Sequence, residues 1–175
     1  MIKKGLIIVV LLIVACAPVK VNYDYNKAVD FTKYKTYNYA SEIKTGLSEL
    51  DEKRLYFQLD SLLTVNGISK SESPDFYIDL HTKTYKNPSN NSIGIGVGGG
   101  GRSGGVGVSG GIPIGGNDLN QELLIDFLDG EKHSLVWQAQ VTKSMKEKAS
   151  PEARKAHFRA MVQKALEGYP PKVKK

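Results

Sequence analysis

The chain contains a single cysteine, Cys16, and this excludes an intramolecular disulfide as the framework of its fold. An apolar run precedes it from Leu6 to Ala15, and Lys3 and Lys4 supply positive charge just before that run. This order of charged and apolar regions is typical of a secretory signal peptide. Ten helical residues span only ~15 Å, about half of the ~30 Å hydrocarbon core of a bilayer. We therefore expect a cleaved signal peptide over residues 1–15 rather than a transmembrane helix.

The end of the apolar run resembles the lipobox of bacterial lipoproteins, in which aliphatic and small residues precede a cysteine. The four residues concerned are Ile13, Val14, Ala15 and Cys16. The resemblance implies cleavage before Cys16 and acylation of its thiol, with residues 16–20 as a lipidated tether. The lipoproteins resembled carry three acyl chains, and each buried methylene contributes ~0.8 kcal/mol, so attachment would be effectively permanent. The alternative is an ordinary signal peptide that is cut near a cysteine.

The residues after Cys16 bear on the destination of the protein. Ala17 occupies the second mature position, where lipoproteins retained in the inner membrane generally carry aspartate, and no acidic cluster follows. We therefore expect a cell-envelope protein that is anchored by lipid to the periplasmic face of the outer membrane.

Length and charge bound the remaining chain. Removing the first 15 of 175 residues leaves 160, enough for one domain that buries about 68 to 70% of its unfolded surface. We expect a single domain over residues 21–171 and a basic tail over residues 172–175. The net charge is +6, but no cluster of Lys and Arg interleaved with aromatics indicates a nucleic-acid partner.

Hydrophobic periodicity predicts both strands and helices. Alternating residues predict strands at residues 21–25, 75–81, 123–128 and 134–141, with another extended segment around Tyr37 and Tyr39. A helix over Glu49–Val65 is predicted by a leucine stripe (Leu55, Leu59, Leu62, Leu63), by a capping box of Ser48 and Asp51, and by a stop at Asn66 and Gly67. A second helix begins after Ser150 at Pro151 and ends at Gly168, with a buried stripe of Phe158, Met161, Val162, Ala165 and Leu166.

A glycine-rich tract extends from Ser92 to Gly116. Thirteen of the 23 residues from Gly94 to Gly116 are glycine, so ordering them carries a backbone entropy cost, and we expect a mobile hairpin. The tract could present a partner-binding edge formed by its apolar residues, which are Ile93, Ile95, Val97, Val106 and Val108. The alternative is a passive hairpin. The tract also matches dinucleotide and phosphate-loop patterns, but it does not open a helix, so we expect no nucleotide cofactor.

Residues that could carry catalysis or bind a metal are dispersed. His81, His133 and His157 lack the short spacing of a zinc motif, so we expect no metal. Asp75 with Asp79, and Asp126 with Asp129, could act as paired carboxylates, although solvated strand edges and turns are the favoured interpretation. No G-x-S-x-G elbow places a serine on a strained turn, and Trp137 is expected to anchor the core rather than bind a partner on the surface.

Several segments together resemble the DUF4136 family of bacterial envelope lipoproteins. The residues that carry the resemblance are Tyr23, Asp24, Tyr25, Asp30, Phe31, Tyr34, Lys35, Thr36, Tyr37, Pro74, Asp75, Phe76, Ile125, Asp126, Asp129, Leu135, Val136, Trp137, Tyr169, Pro170 and Pro171. The resemblance implies an α+β domain in which a sheet is backed by helices, and it implies no activity or site residues. We expect a mixed, mainly antiparallel sheet packed against two helices, with a glycine-rich hairpin insertion.

These observations favour a protein that is not an enzyme. We expect a membrane-anchored module that binds or scaffolds an envelope protein. Two alternatives remain open: a periplasmic carrier or sensor of a small apolar or envelope-derived ligand, and an uncharacterised hydrolase. A deep apolar cavity would favour the carrier, and convergent perturbed carboxylates or histidines would favour the hydrolase.

Overall fold

The computed structural model describes residues 18–86, 92–94, 111–113 and 118–172. The predicted signal peptide, Cys16 and the greater part of the glycine-rich tract lie outside these residues. Neither helix in the described ranges has the length and apolar character needed to cross a membrane.

The described residues form a six-stranded sheet, a separate two-stranded ladder and two helices. The strands are β1 (Lys20–Tyr25), β2 (Thr36–Tyr39), β3 (Ser69–Lys70), β4 (Phe76–Lys86), β5 (Ser92–Gly94), β6 (Gly111–Pro113), β7 (Asp118–Asp129) and β8 (Leu135–Lys146), and the helices are α1 (Glu49–Val65) and α2 (Pro151–Leu166). The large sheet has the order β1-β8-β7-β4-β2-β3. Strands β1, β8, β7 and β4 are antiparallel, whereas β2 is parallel to both β4 and β3. This arrangement confirms the predicted α+β class.

The central hairpin is longer than hydrophobic alternation predicts. Strands β7 and β8 each contain 12 residues and pair from Asp118 opposite Lys146 to Leu128 opposite Leu135. The additional pairing lies among polar side chains, where Ser144 Oγ donates to Asn120 Oδ1 at 2.6 Å. Because such residues carry no hydrophobic alternation, the sequence pattern begins β7 too late and ends β8 too early.

Both helices begin at the predicted serine caps. Ser48 Oγ accepts a hydrogen bond from the Asp51 amide, and Ser150 Oγ accepts one from the Ala153 amide. Asp51 does not complete a capping box, because its carboxylate accepts from Arg54 and Arg154 at 2.7 Å each. The end of α1 is followed by Gly67 at φ +77°, which confirms the left-handed stop.

The core lies between one face of the sheet and the two helices. Leucines of α1 and apolar residues of α2 pack there against the inward-facing residues of β4, β7 and β8. Phe127 lies 4.6 Å from Trp137 and 4.5 Å from Phe76, measured between ring centroids. Trp137 is fully buried and its Nε1 donates to the Gly168 carbonyl at 3.3 Å, so the predicted core role is confirmed. Leu62 is only partly buried, unlike Leu59.

Strands β5 and β6 pair with each other, and Ile93 lies opposite Ile112. An antiparallel ladder is what the two arms of a hairpin would form. The other residues of the predicted partner-binding edge, namely Ile95, Val97, Val106 and Val108, lie outside the described residues, so the edge and its mobility stay predictions.

Truncation of the core should reduce the free energy of unfolding sharply. Leu59→Ala and Trp137→Ala should each cost ~2 to 5 kcal/mol, because each leaves a cavity among close-packed neighbours. Val65→Ala is the matched control, since Val65 is 81% exposed, and it should cost less than about 0.5 kcal/mol. Urea unfolding followed by circular dichroism measures all three variants, and a loss below ~1 kcal/mol for Leu59→Ala or Trp137→Ala would contradict the described core.

Candidate functional site

Three segments that are distant in sequence meet at one end of the large sheet. They are the 3-10 turn Phe31–Lys33 with its flanking residues, the Pro74–Asp75 segment before β4, and the turn between β7 and β8. Each contributes residues through which the sequence resembles DUF4136. The structure thus brings together Tyr34, Asp75 and Asp129, which sequence reasoning did not connect.

Asp129 holds the β7–β8 turn against the segment that follows the 3-10 turn. Its Oδ2 accepts a hydrogen bond from Tyr34 Oη at 2.7 Å, and its Oδ1 accepts from the amides of Glu131 and Lys132 at 3.1 and 2.8 Å. Tyr34 is itself buried. Both carboxylate oxygens of Asp129 are therefore engaged within the protein.

Asp75 performs the corresponding role at the start of β4. Its Oδ2 accepts hydrogen bonds from the Lys35 amide, the Thr36 amide and Thr36 Oγ1, each at 2.8 Å. We call Tyr34, Thr36, Asp75 and Asp129 the carboxylate clasp. The clasp connects the entry to β2, the entry to β4 and the exit from β7.

A close backbone approach completes this end of the sheet. The Gly130 amide donates to the Asp75 carbonyl at 2.8 Å. A Cβ at position 130 would lie 2.3 Å from the Pro74 carbonyl oxygen, so glycine is required here because no side chain fits. The sequence indicates a turn at Gly130, but it does not indicate this contact.

The hydrogen bonds of the clasp keep both carboxyl groups ionised. Burial would raise the pKa of Asp75, but the donors of Lys35 and Thr36 outweigh it and hold that pKa below its usual range. The Tyr34 hydroxyl, followed by the Lys132 amide, lowers the pKa of Asp129. Burial, and then the bond to Asp129, raise the pKa of Tyr34. An ionised carboxylate with its donors in place suits a structural role better than proton transfer.

An open cleft of about 730 Å³ lies against the clasp. Its charged lining comprises two lysines, Lys33 and Lys132, and five acidic residues, Asp30, Glu72, Asp75, Asp129 and Glu131. Tyr77 also lines it, and its ring stacks on His133 at 5.6 Å. The cleft therefore offers a polar, predominantly acidic surface.

The carboxylate pairs considered from the sequence are arranged differently. Asp75 is engaged by the clasp, whereas Asp79 lies within 3.2 Å of His81 Nε2. Asp79 is instead opposite Asp126 across β4 and β7. Burial raises the pKa of Asp126, the hydrogen bond from Gln138 opposes that rise, and the charge of Asp79 adds to it. Asp79 and Asp126 lie on adjacent strands of the sheet and are not part of the clasp.

His157 is buried, and no sequence pattern distinguishes it from the other two histidines, His81 and His133. His157 is 4% exposed, and its Nε2 lies 3.0 Å from Gln121 Oε1, while its Nδ1 has no partner among the described residues. Burial, followed by the charge of Lys143, lowers the pKa of His157 to about 4, and Asp51 opposes this shift. Within the described ranges, no group of three or more acidic, histidine or cysteine residues could hold a metal ion.

Comparison with protein families gives one match. The model of a family described as a domain of unknown function, DUF4136, matches residues 21–171. No curated protein sequence matches the chain.

Several solved structures are similar to this chain at low sequence identity. A PDZ domain protein from Parabacteroides distasonis is 17% identical to this chain, with a TM-score of 0.53. The match covers 89% of this chain and 36% of the PDZ domain protein, so this chain spans about a third of that protein's length. The PelC dodecamer from Paraburkholderia phytofirmans is 9% identical with a TM-score of 0.51, covering 85% of this chain and 95% of that one. A DUF4136 family protein from Bacteroides thetaiotaomicron is 16% identical with a TM-score of 0.47, covering 87% and 96%. At these identities the first two similarities concern the fold alone.

Removal of the Tyr34 hydroxyl should weaken the clasp. Tyr34→Phe should lower the free energy of unfolding by about 1 to 2 kcal/mol at pH 7, because it removes one hydrogen bond to a charged acceptor. The difference from wild type should shrink below about pH 4, since the ionised carboxylate that gives the bond its strength is then lost. Urea unfolding of wild type and Tyr34→Phe at pH 7 and below about pH 4 tests this prediction, and Tyr85→Phe, at an exposed tyrosine, is the control. Equal effects of the two substitutions would refute the role of the clasp.

Acidification should destabilise the fold through His157. Its pKa is lower in the folded than in the unfolded chain, so the unfolded chain binds more protons between about pH 6.5 and 4, and stability falls as the pH falls through this window. Between pH 7.5 and 5 the loss should be about 2 kcal/mol. His157→Gln should remove most of this dependence, and exposed His81→Gln should retain it. Urea unfolding at pH 7.5 and pH 5 measures this dependence. If the free energy of unfolding of His157→Gln changed with pH as it does in wild type, His157 would be excluded as the source of the pH dependence.

Proposed function

Since this chain belongs to the DUF4136 family, a domain of unknown function, we propose its role from the geometry of the cleft. We infer a lipid-anchored envelope lipoprotein, acylated at Cys16, that acts without catalysis as a protein-binding or scaffolding module. The cleft beside the clasp is its binding surface. The observation that carries this proposal is that the loops around an open polar cleft are held in place by their own hydrogen bonds.

Preorganisation supports a binding role. The clasp and the Gly130 contact already order the loops around the cleft, so a partner would not have to supply that ordering free energy. Lys33, Glu72 and Lys132 are exposed at the cleft and carry charge of both signs. Such a surface suits the polar contacts of a protein partner, for which charge complementarity gives specificity.

The alternatives receive less support from the described residues. A carrier between sheet and helices would need space there, but Phe76, Phe127, Trp137 and Tyr169 fill the region near the cleft with ring contacts. A hydrolase that uses Asp75 and Asp129 would need those carboxylates free to move protons, whereas they are engaged with internal donors. A structural neighbour is described as a dodecamer, so a second copy of this chain is one partner that an experiment must be able to detect.

Photo-crosslinking in living cells tests the proposal in the full-length lipoprotein. A photoreactive amino acid at position 33 or 72 should give discrete protein adducts, because both positions line the cleft without taking part in the clasp. The same amino acid at position 57, on the exposed outer side of α1, should not. Cys16→Ser, in the same cells, should leave the membrane fraction or retain its signal peptide.

Each part of the proposal has its own contrary result. Adducts from position 57 alone, or none from positions 33 and 72, would refute the cleft as the binding surface. A processed Cys16→Ser variant that stays with the membrane in high salt would refute the anchor. Mass spectrometry of the adducts distinguishes another envelope protein from a second copy of the chain.

A further inference from the structure

The short distance between Cys16 and β1 determines which end of the domain lies near a lipid anchor. Strand β1 begins at Lys20, four residues after Cys16. Because an extended chain spans at most ~3.6 Å per residue, Lys20 lies within ~14 Å of that anchor. The domain therefore cannot stand far from the bilayer that holds the lipid.

Strand register identifies the rest of that end. Lys20 is opposite Thr142 on β8, and Thr142 is opposite Glu122 on β7. From Glu122 the chain continues through seven residues to Asp129 at the cleft, about 23 Å at ~3.3 Å per residue. We call the end that contains Lys20, the last residues of β8 and the start of α2 the anchor end. The cleft lies at the opposite end of the sheet.

A groove of about 410 Å³ lies at the anchor end, between the last residues of β8 and the first turns of α2. Strand β1 pairs with β8 no further than Thr142, so it does not pair with residues 143–146. Exposed Lys146 and Lys148 line the groove together with small apolar residues, Ala149, Ala153 and Ala156. Small apolar side chains beside lysines suit the headgroup region of a bilayer.

The lining of the groove differs in charge from the lining of the cleft, although exposed Asp118 and Glu152 also lie at the anchor end. None of the described residues that line the groove is acidic, and the exposed Glu147 beside it pairs with Lys86 at 3.7 Å. The cleft at the opposite end is lined by five acidic residues and two lysines. An anionic membrane surface attracts nearby lysines and repels carboxylates within about a Debye length.

We propose that the anchor end rests on anionic lipid headgroups through Lys146 and Lys148, so that the cleft faces away from the bilayer. This orientation rests on the proposed acylation of Cys16. In this orientation a membrane surface covers the groove. The cleft, about 23 Å further along the sheet, faces partners in the aqueous compartment.

Site-specific labelling of the acylated, full-length mature protein tests the orientation. Because Cys16 is the only native cysteine, Ala153→Cys and Ala28→Cys each give one reactive thiol, at the groove and at the cleft respectively. Both replaced alanines are exposed, and all lysines stay in place. Each labelled protein is reconstituted into vesicles of equal parts phosphatidylglycerol and phosphatidylcholine that contain a spin-labelled headgroup lipid, which quenches fluorophores at the membrane surface.

The label at position 153 should be quenched several-fold more than the label at position 28. Pure phosphatidylcholine or high salt should reduce the difference, since headgroup charge provides the attraction. Lys148→Glu should reduce quenching at position 153, whereas Lys132→Glu, a matched charge reversal at the cleft end, should not. Circular dichroism confirms that each variant is folded.

The contrary results are distinct. Equal quenching at the two positions, or stronger quenching at position 28, would overturn the orientation while leaving the anchor intact. A label at position 153 that is shielded from aqueous iodide but not quenched by lipid would show that a second copy of the chain, rather than the membrane, covers the groove. Intact-mass measurement that finds no acyl chains on Cys16 would overturn both the anchor and the orientation.

Discussion

The register between β7 and β8 is the constraint on which the rest of the domain depends. It places Phe127 opposite Trp137, and both side chains face the helices, where they are fully buried. A slip of one residue would exchange the buried face for the polar face, where Asp126 accepts a hydrogen bond from Gln138. The same register sets the position of the turn that carries Asp129. Core, polar face and candidate site are thus consequences of one pairing.

The clasp converts that turn into a defined surface. Asp129 could remain solvated at the tip of an ordinary hairpin, but Tyr34 reaches it from a segment 95 residues earlier in the chain. Asp75 similarly binds Thr36. Each carboxylate joins two connections that would otherwise be free to move independently, and loops held in this way are suited to present fixed polar groups to a partner.

The sequence was most informative where local physics decides the structure. The leucine stripe and the serine caps correctly predict α1 and α2, and alternation predicts the centres of the long strands. The polar ends of β7 and β8 were missed, because Asn120 and Ser144 have no hydrophobic period. Resemblance to DUF4136 singled out Tyr34, Asp75 and Asp129, but a sequence pattern contains no distances. Their contacts depend on long-range topology, as does the burial of His157.

The proposed anchoring at Cys16 would have an energetic consequence for the open cleft. An open, polar cleft exchanges many of its hydrogen bonds with water, so the net free energy of the proposed binding to a partner would be modest. A lipid anchor confines the domain to a thin layer and raises its effective concentration toward partners at the same membrane. With the proposed anchor, a weak but preorganised cleft would suffice for occupancy at the envelope, whereas the same cleft on a released domain would bind poorly. Membrane attachment would in that case be a determinant of binding as well as of location.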